Sequence, residues 1–545
     1  MLPFHTYRAY VSEEPLSHGS PKRHTHDVLH RPGAGRKPGL RHRPRRRRLG
    51  RLCARRPAHR GRRVRVLLLE AGTAAADLPE TVGYPPAWPV LAGTEANWGD
   101  TTVPQDSGSS PDGPGPSIML PRGRGIGGSS AINAMVFARG HRTGYDKWNS
   151  HGAKGWSFDD LLPYFRRSET ALSGAPGRGT DGPLVVGPMT EANKVLLACL
   201  EGAVETGQRR AYDISGGLEE GFAPVDLNIV GGRRQSAADA YLLPVLNRPN
   251  LDVVTGATAH RLLFEGERCV GVEYGVQGQV HSVRVAREVV LTAGSIGSAQ
   301  ILLRSGIGPE RELREAGVDL FHALPGVGRN LHDHPLVNLV HRTRRSVPPA
   351  AGNHGEVIGL VRSAPELLGP DLQILFIDVP FPNPVAPVDN GFTIGVSPML
   401  PFSRGTLRIT SADPYAAPVL DPGYFTDERD VRVVLSGIAT AREIARSSAL
   451  EPWGVEEVAP GPDVTDREAL ARYTRTVYQS YCHPVGTCAL GEDEVSVVDS
   501  ELRVRGLGGL RIADGSVIPS IPSSNTNATV YAIAERAADL LRRDF

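Results

Sequence analysis

Apolar runs bounded by glycine recur along this chain. The stretch VRVLLLEAG (64–72) is almost continuously apolar and ends in an acid, as expected of a strand buried on both faces of a parallel sheet. EVVLTAGSIGSAQILLRSGIG (288–308) reads as strand, glycine turn, helix and glycine stop. NLDVVTGATAHRLLFEGERCVGVEYG (250–275) alternates like an antiparallel meander, with turns at Gly256 and Glu265-Gly266. SFDDLLPYFRRSET (157–170) opens on Ser and acids and predicts a helix, as do residues 430–447 and the C-terminal segment. Residues 336–470 mix strands and loops, and no internal repeat is present. The pattern predicts an α/β fold with a strand suited to a parallel-sheet dinucleotide-binding domain.

Composition changes this picture at one end. The chain has 545 residues, enough for two domains, and its 40% hydrophobic content is ordinary for a globular protein. Net charge is +2, but residues 1–63 hold 18 Lys/Arg against 3 Asp/Glu. The remainder is therefore acidic, and the basic piece is foreign to it. That piece reads as a solvated arm or as a nucleic-acid arm. Five scattered cysteines argue against a disulfide scaffold and suit a reducing cytoplasm. Neither a secretory signal nor a membrane span is expected from the hydropathy pattern.

Glycine blocks and two polar segments carry the candidate chemistry. Gly123-Arg124-Gly125-Ile126-Gly127-Gly128-Ser129-Ser130-Ala131-Ile132-Asn133 lets backbone N–H groups approach an anion or a flat ring closely; taken alone, it is equally a tight turn. Glu70, at a strand end, can accept hydrogen bonds from two ribose hydroxyls or be an ordinary acid. His483 lies in YCHPVGT (481–487), and Asn527 in NTNA (525–528). A neutral histidine can accept a proton as a general base, and a nearby amide can stabilise a developing oxyanion. A metal reading of Cys482, His483 and Cys488 lacks a second Cys/His pair, so no metal is expected.

With TAGSIGSAQILLRSGIGP (292–309) and LPGVGRNLHDHP (324–335), these blocks resemble, in order and separation, the glucose–methanol–choline (GMC) family of flavin-dependent alcohol oxidoreductases. The resemblance runs from Val64 to the C-terminus and implies a FAD-binding dinucleotide fold on a parallel sheet, assembled from separated segments, plus a substrate domain on an antiparallel sheet. It implies FAD as cofactor, contacted by Glu70, Gly125, Gly127, Gly128, Ser129, Asn133, Ala134, Met135 and Val136, by the backbone near Ala259, and by Asp514-Gly515. It implies His483 and Asn527 as the catalytic pair, with hydride passing to flavin N5. Family members with covalent flavin carry a histidine where this chain has Ile132, so non-covalent FAD is implied. Thr529 replaces the family's usual proline after the active-site Asn. The implied partner is a small alcohol; the electron acceptor stays open, and no nucleic acid is expected. The expected division is an aberrant basic segment 1–63, a FAD-binding domain (64–160, 225–335, 476–545) and a substrate domain (161–224, 336–475).

One element of the pattern is missing. A ribose-binding strand follows an earlier strand and a G-x-G-x-x-G loop by about 20 residues. Here that place holds RHRPRRRRLGRLCARRPAHRG (41–61). GAGRKPG (33–39) lies too far upstream, and Pro38 interrupts any helix after it. Arginine is encoded CGN, so an arginine run read one base later becomes rich in Gly, Ala and Val. Shifted so, with free wobble bases, 41–61 can read DIVLVGAGSAGCALAARLTED. Its glycines fall at Arg46, Arg48 and Arg51, the first two lying 22–24 residues before Glu70. The expectation is that two compensating frame changes bound this stretch, weakening FAD binding; a rival reading is a flavoprotein-like remnant without activity.

Overall fold

A computed structural model describes residues 9–11, 64–105, 115–150 and 152–544; the arginine-rich stretch 41–61 and its out-of-frame loop lie outside the described residues. Two sheets organise the fold. The first runs in the order Leu510–Ile512, Val289–Leu291, Ala9–Val11, Val66–Leu69, Leu251–Val254. Val66–Leu69 lies parallel to Leu251–Val254, and Val289–Leu291 parallel to Leu510–Ile512. The expected meander is thus divided: its first strand joins this sheet, and Ala257–Glu265, Arg268–Val276 and Gln279–Arg284 form a separate antiparallel sheet.

The central position departs from an all-parallel sheet. Ala9–Val11 runs antiparallel to both neighbours, with Ala9 opposite Leu291, Tyr10 opposite Leu68 and Val11 opposite Leu67. The neighbouring strands leave the sheet at Leu69 and Leu291, where nucleotide ligands sit in such folds. Ala9–Val11 begins at that edge rather than ending there. It therefore does not lead into a helix N-terminus at the place where pyrophosphate would be held.

Helices cover this sheet because their apolar stripes match it. Gly294–Arg304 follows Val289–Leu291 directly and is buried along its length. Asn527–Asp544 contributes Tyr531, Ile533 and Leu541 to the same core as Leu68, Leu291 and Ile512. Phe158–Ser168 forms where the Ser/acid signal places it. Ser157 accepts the Asp160 N–H while the Asp160 carboxylate accepts the Ser157 N–H, and Arg166 and Arg167 lie at the C-terminal end.

The second sheet is antiparallel, in the order Val455–Ala459, Pro335–Thr343, Gly391–Pro398, Leu372–Ile377, Val357–Val361, Gly221–Pro224. One face, including Val337, Leu339, Ile374, Phe376, Ile394 and Val396, packs on helices Lys194–Glu205 and Glu428–Ala445. The opposite face, with Ile358, Leu360, Leu375 and Ile377, meets Val136, Ala138, Val225, Leu227 and Tyr481. The second sheet thus lies directly over the segment after the glycine block.

Candidate active site

Glu70 ends Val66–Leu69 fully buried, and its Oε1 accepts the N–H groups of Gly72 (2.8 Å) and Gly125 (3.0 Å). One carboxylate therefore ties the strand end to the glycine block. Gly125, Gly127 and Gly128 have φ of 134°, 102° and 53°, a run that side chains resist. A Cβ on Gly123 would lie 2.1 Å from the Gly128 carbonyl oxygen, so the block is folded tightly on itself. Ser129 Oγ accepts the Gly123 N–H. Ala259 is buried on Ala257–Glu265, two residues beyond Ala257, whose N–H donates to the Glu70 carbonyl.

The next residues are fixed from three sides. Asn133 Oδ1 accepts the Met135 N–H and Nη1 of Arg234 (2.7 Å), and Met135 has φ 59°. The Ala134 carbonyl accepts from the Asn353 side chain. Val136 bridges to Leu227. Further along, Arg139 donates to Glu169, which Arg178 also reaches, and Arg178 donates to Asp226. This buried ion cluster holds the strand-like segment leading out of the glycine block. Arg234 was not legible as a site residue. Burial lowers its pKa to about 9, and its Nε binds the Val82 carbonyl, cross-tying the block to the segment above it.

Asp514 lies past the end of Leu510–Ile512. Its carboxylate accepts from the Gly294 N–H, Ser298 Oγ and the Ser516 N–H. Burial raises its pKa, and these donors oppose that rise. Gly515 packs on Ser295, and the neighbouring Ser516 hydroxyl is buried beside the Asp514 carboxylate. Ile132 is buried with Leu91, Ala96 and Ala131.

His483 sits where three segments converge. Asp333 Oδ1 accepts the N–H groups of both His334 and His483 (2.8 Å each), while Oδ2 takes the hydroxyls of Ser480 and Tyr424 (2.5 Å each). One carboxylate thereby fixes two histidine backbones 149 residues apart. The rings meet edge to face, Nδ1 to Nδ1 at 3.0 Å. His334 Nε2 lies 3.0 Å from the Met399 carbonyl, and His483 Nε2 lies 3.2 Å from Asn525 Nδ2.

These contacts set the tautomers. A carbonyl only accepts, so His334 carries its proton on Nε2. Burial pushes the pKa of His334 down to about 3, so the ring is neutral and its Nδ1 is an acceptor. His483 must then donate from Nδ1, leaving a lone pair on Nε2. Burial and His334 together hold the His483 pKa well below its ordinary value. Tyr481 stacks on the ring at 4.6 Å. The amide touching His483 is Asn525 rather than Asn527; Asn527 opens the C-terminal helix with Nδ2 buried and without a partner among the described residues. Cys482 is exposed and Cys488 buried, and no group of three His, Cys, Asp or Glu is placed to hold a metal among the described residues.

A buried acid at one strand end, a crowded glycine block, a buried Asp at a second strand end and a histidine under an antiparallel sheet suit a flavin-binding oxidoreductase. The buried Glu70 and the tight glycine backbone suit the adenosine ribose and the flat ring of FAD; the segment for its pyrophosphate lies outside the described residues. The chain belongs to the GMC oxidoreductase family, whose N- and C-terminal family models match residues 67–336 and 401–534. It is an FAD-dependent oxidoreductase of CH–OH groups. It is 38% identical over 471 residues to the oxygen-dependent choline dehydrogenase of Brucella canis, covering 81% of this chain and 85% of that one. With the Photobacterium profundum protein of that name, identity is 35% over 510 residues, or 87% and 88% of the two chains. Among solved structures, pyridoxine 4-oxidase from Mesorbium loti superposes with TM-score 0.84 and 31% identity, covering 88% of this chain and 94% of that one.

Proposed function

We propose that His483 is the base that takes the alcohol's proton, through Nε2. The observation that carries this is the hydrogen-bond chain Met399 C=O, His334, His483, which leaves the Nε2 lone pair for a donor, with Asn525 Nδ2 3.2 Å away. The substrate oxygen would sit beside Nε2 and the Asn525 amide, within reach of both. The base accepts the proton, the amide N–H donates to the developing alkoxide, and Nδ1–H of the new imidazolium keeps its acceptor in His334. Asn527 adds a second amide on the same turn. FAD, when bound, supplies the hydride acceptor. Glu70, the glycine block with residues 133–136, the backbone near Ala259, and Asp514-Gly515 would hold it non-covalently, since Ile132 offers no histidyl link.

We assign 64–160, 225–335 and 476–545 to FAD binding, and 161–224 and 336–475 to the substrate. No helix among the described residues is long and apolar enough to cross a membrane. Four described cysteines are unpaired, which supports a reducing, cytoplasmic setting. His483→Ala should lower alcohol oxidation by about 10²–10⁴-fold with FAD content unchanged. Retained turnover in the FAD-loaded variant would remove His483 from the mechanism.

A further inference from the structure

The face of the substrate sheet that looks toward the glycine block carries polar atoms without partners. On Leu372–Ile377, the neighbours Leu372 and Ile374 point into the helical core, so Gln373 faces the other way with Leu375. Ser397 is directly opposite Gln373 in the pairing, and Asn338 is opposite Gly395, two residues before Ser397. Gln373 and Ser397 are 0% exposed. Both amide atoms of Gln373, the Ser397 hydroxyl and Asn338 Oδ1 have no hydrogen-bond partner among the described residues. Tyr481 packs on this face, its ring tilted against that of His483 and its buried phenol directed to Asn525.

The position ties these groups to the reaction. Ser397 lies two residues before Met399, whose carbonyl orients His334, and a two-residue step along a strand is about 7 Å. The Leu336 side chain and Asn338 Oδ1 pack closely over Gly395, where a Cβ would lie 2.9 Å from Leu336 and 3.3 Å from Asn338 Oδ1. Buried amides and hydroxyls are retained unpaired only where something else pairs with them. All of these groups are uncharged. The two rows of strand residues nearest His334 hold Leu, Ile, Gly, Ser, Asn and Gln, with no acid; the rings on this face are Tyr481, against His483, and Phe381. Asp333 is engaged by four donors and Asp378 by His354 and Asn193; Glu356, at the far end of the face, binds the Asn193 N–H through Oε2 and has Oε1 buried without a hydrogen bond among the described residues.

We infer that the site takes an uncharged alcohol bearing further hydroxyl or carbonyl groups, which Gln373, Ser397 and Asn338 read, rather than a quaternary ammonium alcohol. This rests on His483 as the base and names the substrate class for that site. Unpaired polar groups kept for substrate give a distinctive signature. Replacing them with apolar residues of similar shape leaves stability unchanged or improves it, while selectivity is lost.

The test uses the FAD-loaded full chain with butan-1-ol, butane-1,2,4-triol, choline and its uncharged isostere 3,3-dimethylbutan-1-ol. The unaltered protein should favour the triol over butan-1-ol by tenfold or more in kcat/KM, with choline no better than its isostere. Gln373→Leu and Ser397→Ala should each reduce the triol preference about tenfold, with the melting temperature unchanged or raised. Choline preferred tenfold over its isostere, equal losses on triol and butanol, or a melting temperature lowered by several degrees would overturn the assignment. The His483→Ala variant separates the two readings. Its loss of turnover on every alcohol tests the base, while alcohol-induced shifts of its melting temperature still report the triol preference. A larger shift with the triol supports the assignment, and equal shifts with triol and butanol overturn it.

Discussion

The ledge around His483 and the centre of the nucleotide sheet are built on opposite principles. On the ledge, residues from 333–334, 399, 480–483 and 525 hold one another through side chain and backbone, and Asp333 alone satisfies four donors. At the sheet centre, three residues run against the direction of their neighbours. The hydrogen bonds that hold the ledge run among those segments. The comparison sets the proposed proton-transfer apparatus apart from the proposed grip on the cofactor's phosphates, because different hydrogen bonds maintain them.

The largest effect should come from restoring the centre. Replacing 41–61 with the frame-shifted sequence supplies two or three backbone N–H groups to the pyrophosphate. At about 1.5–3 kcal/mol each, they should tighten FAD binding more than a hundredfold. Titration of apoprotein with FAD, followed by flavin fluorescence, measures it; equal affinity for both chains would break the frame-change reading. Next comes Glu70→Gln, which weakens a charged acceptor at the ribose side. FAD affinity should fall about tenfold, with the rate of flavin reduction at saturating FAD unaltered. A changed reduction rate would show that the two regions are coupled after all.

The third prediction concerns pH on the ledge. Burial and His334 depress the His483 pKa, and the proposed base is its neutral form. Alcohol-dependent flavin reduction should therefore stay level from pH 8 down through 6.5, and decline only as pH falls through the depressed value. A break at about 6.5, the value of an unperturbed histidine, would mean that the ring is not held as described.

The smallest effect concerns His354, which joins the substrate sheet to the segment over the glycine block. Its Nδ1 binds Asp378 (2.7 Å), its Nε2 binds the Pro86 carbonyl (3.0 Å), and its backbone is left-handed at φ 68°. Both nitrogens face acceptors, and Asp378 raises the pKa against the opposing effect of burial. The folded value lies above the unfolded one. The stabilisation is therefore complete below the unfolded value and is lost as pH rises through the folded one. His354→Gln should lower the melting temperature by about 2 °C at pH 5.5, with the gap closing in alkali. A gap independent of pH would assign the loss to packing.

Local signals were legible in the sequence wherever the chemistry was local. The Ser157 cap, the glycine turns, the apolar run before Glu70 and the helix after Val289–Leu291 all depend on neighbours within a few residues. The FAD-dependent reaction class was legible too, because five motif blocks keep their order. What was missed depends on contacts between distant residues. His334 stood in plain view in LPGVGRNLHDHP, but its role comes from a ring 149 positions away. Asn525 rather than Asn527 reaches that ring, because the helix begins between them. Gln373 had a signal that could have been read: one amide in the otherwise apolar strand LQILFI. The antiparallel Ala9–Val11 had none, since its partners, Leu67-Leu68 and Val290-Leu291, lie far along the chain.

The most direct test of separability is anaerobic stopped-flow reduction of the flavin by one alcohol, in this chain and in the 41–61 replacement, each saturated with FAD. The account predicts that the two chains reduce flavin at the same limiting rate, although they bind FAD with affinities a hundredfold apart. A limiting rate that rises with the replacement in step with affinity would contradict it, placing the central strand in the machinery of the reaction itself.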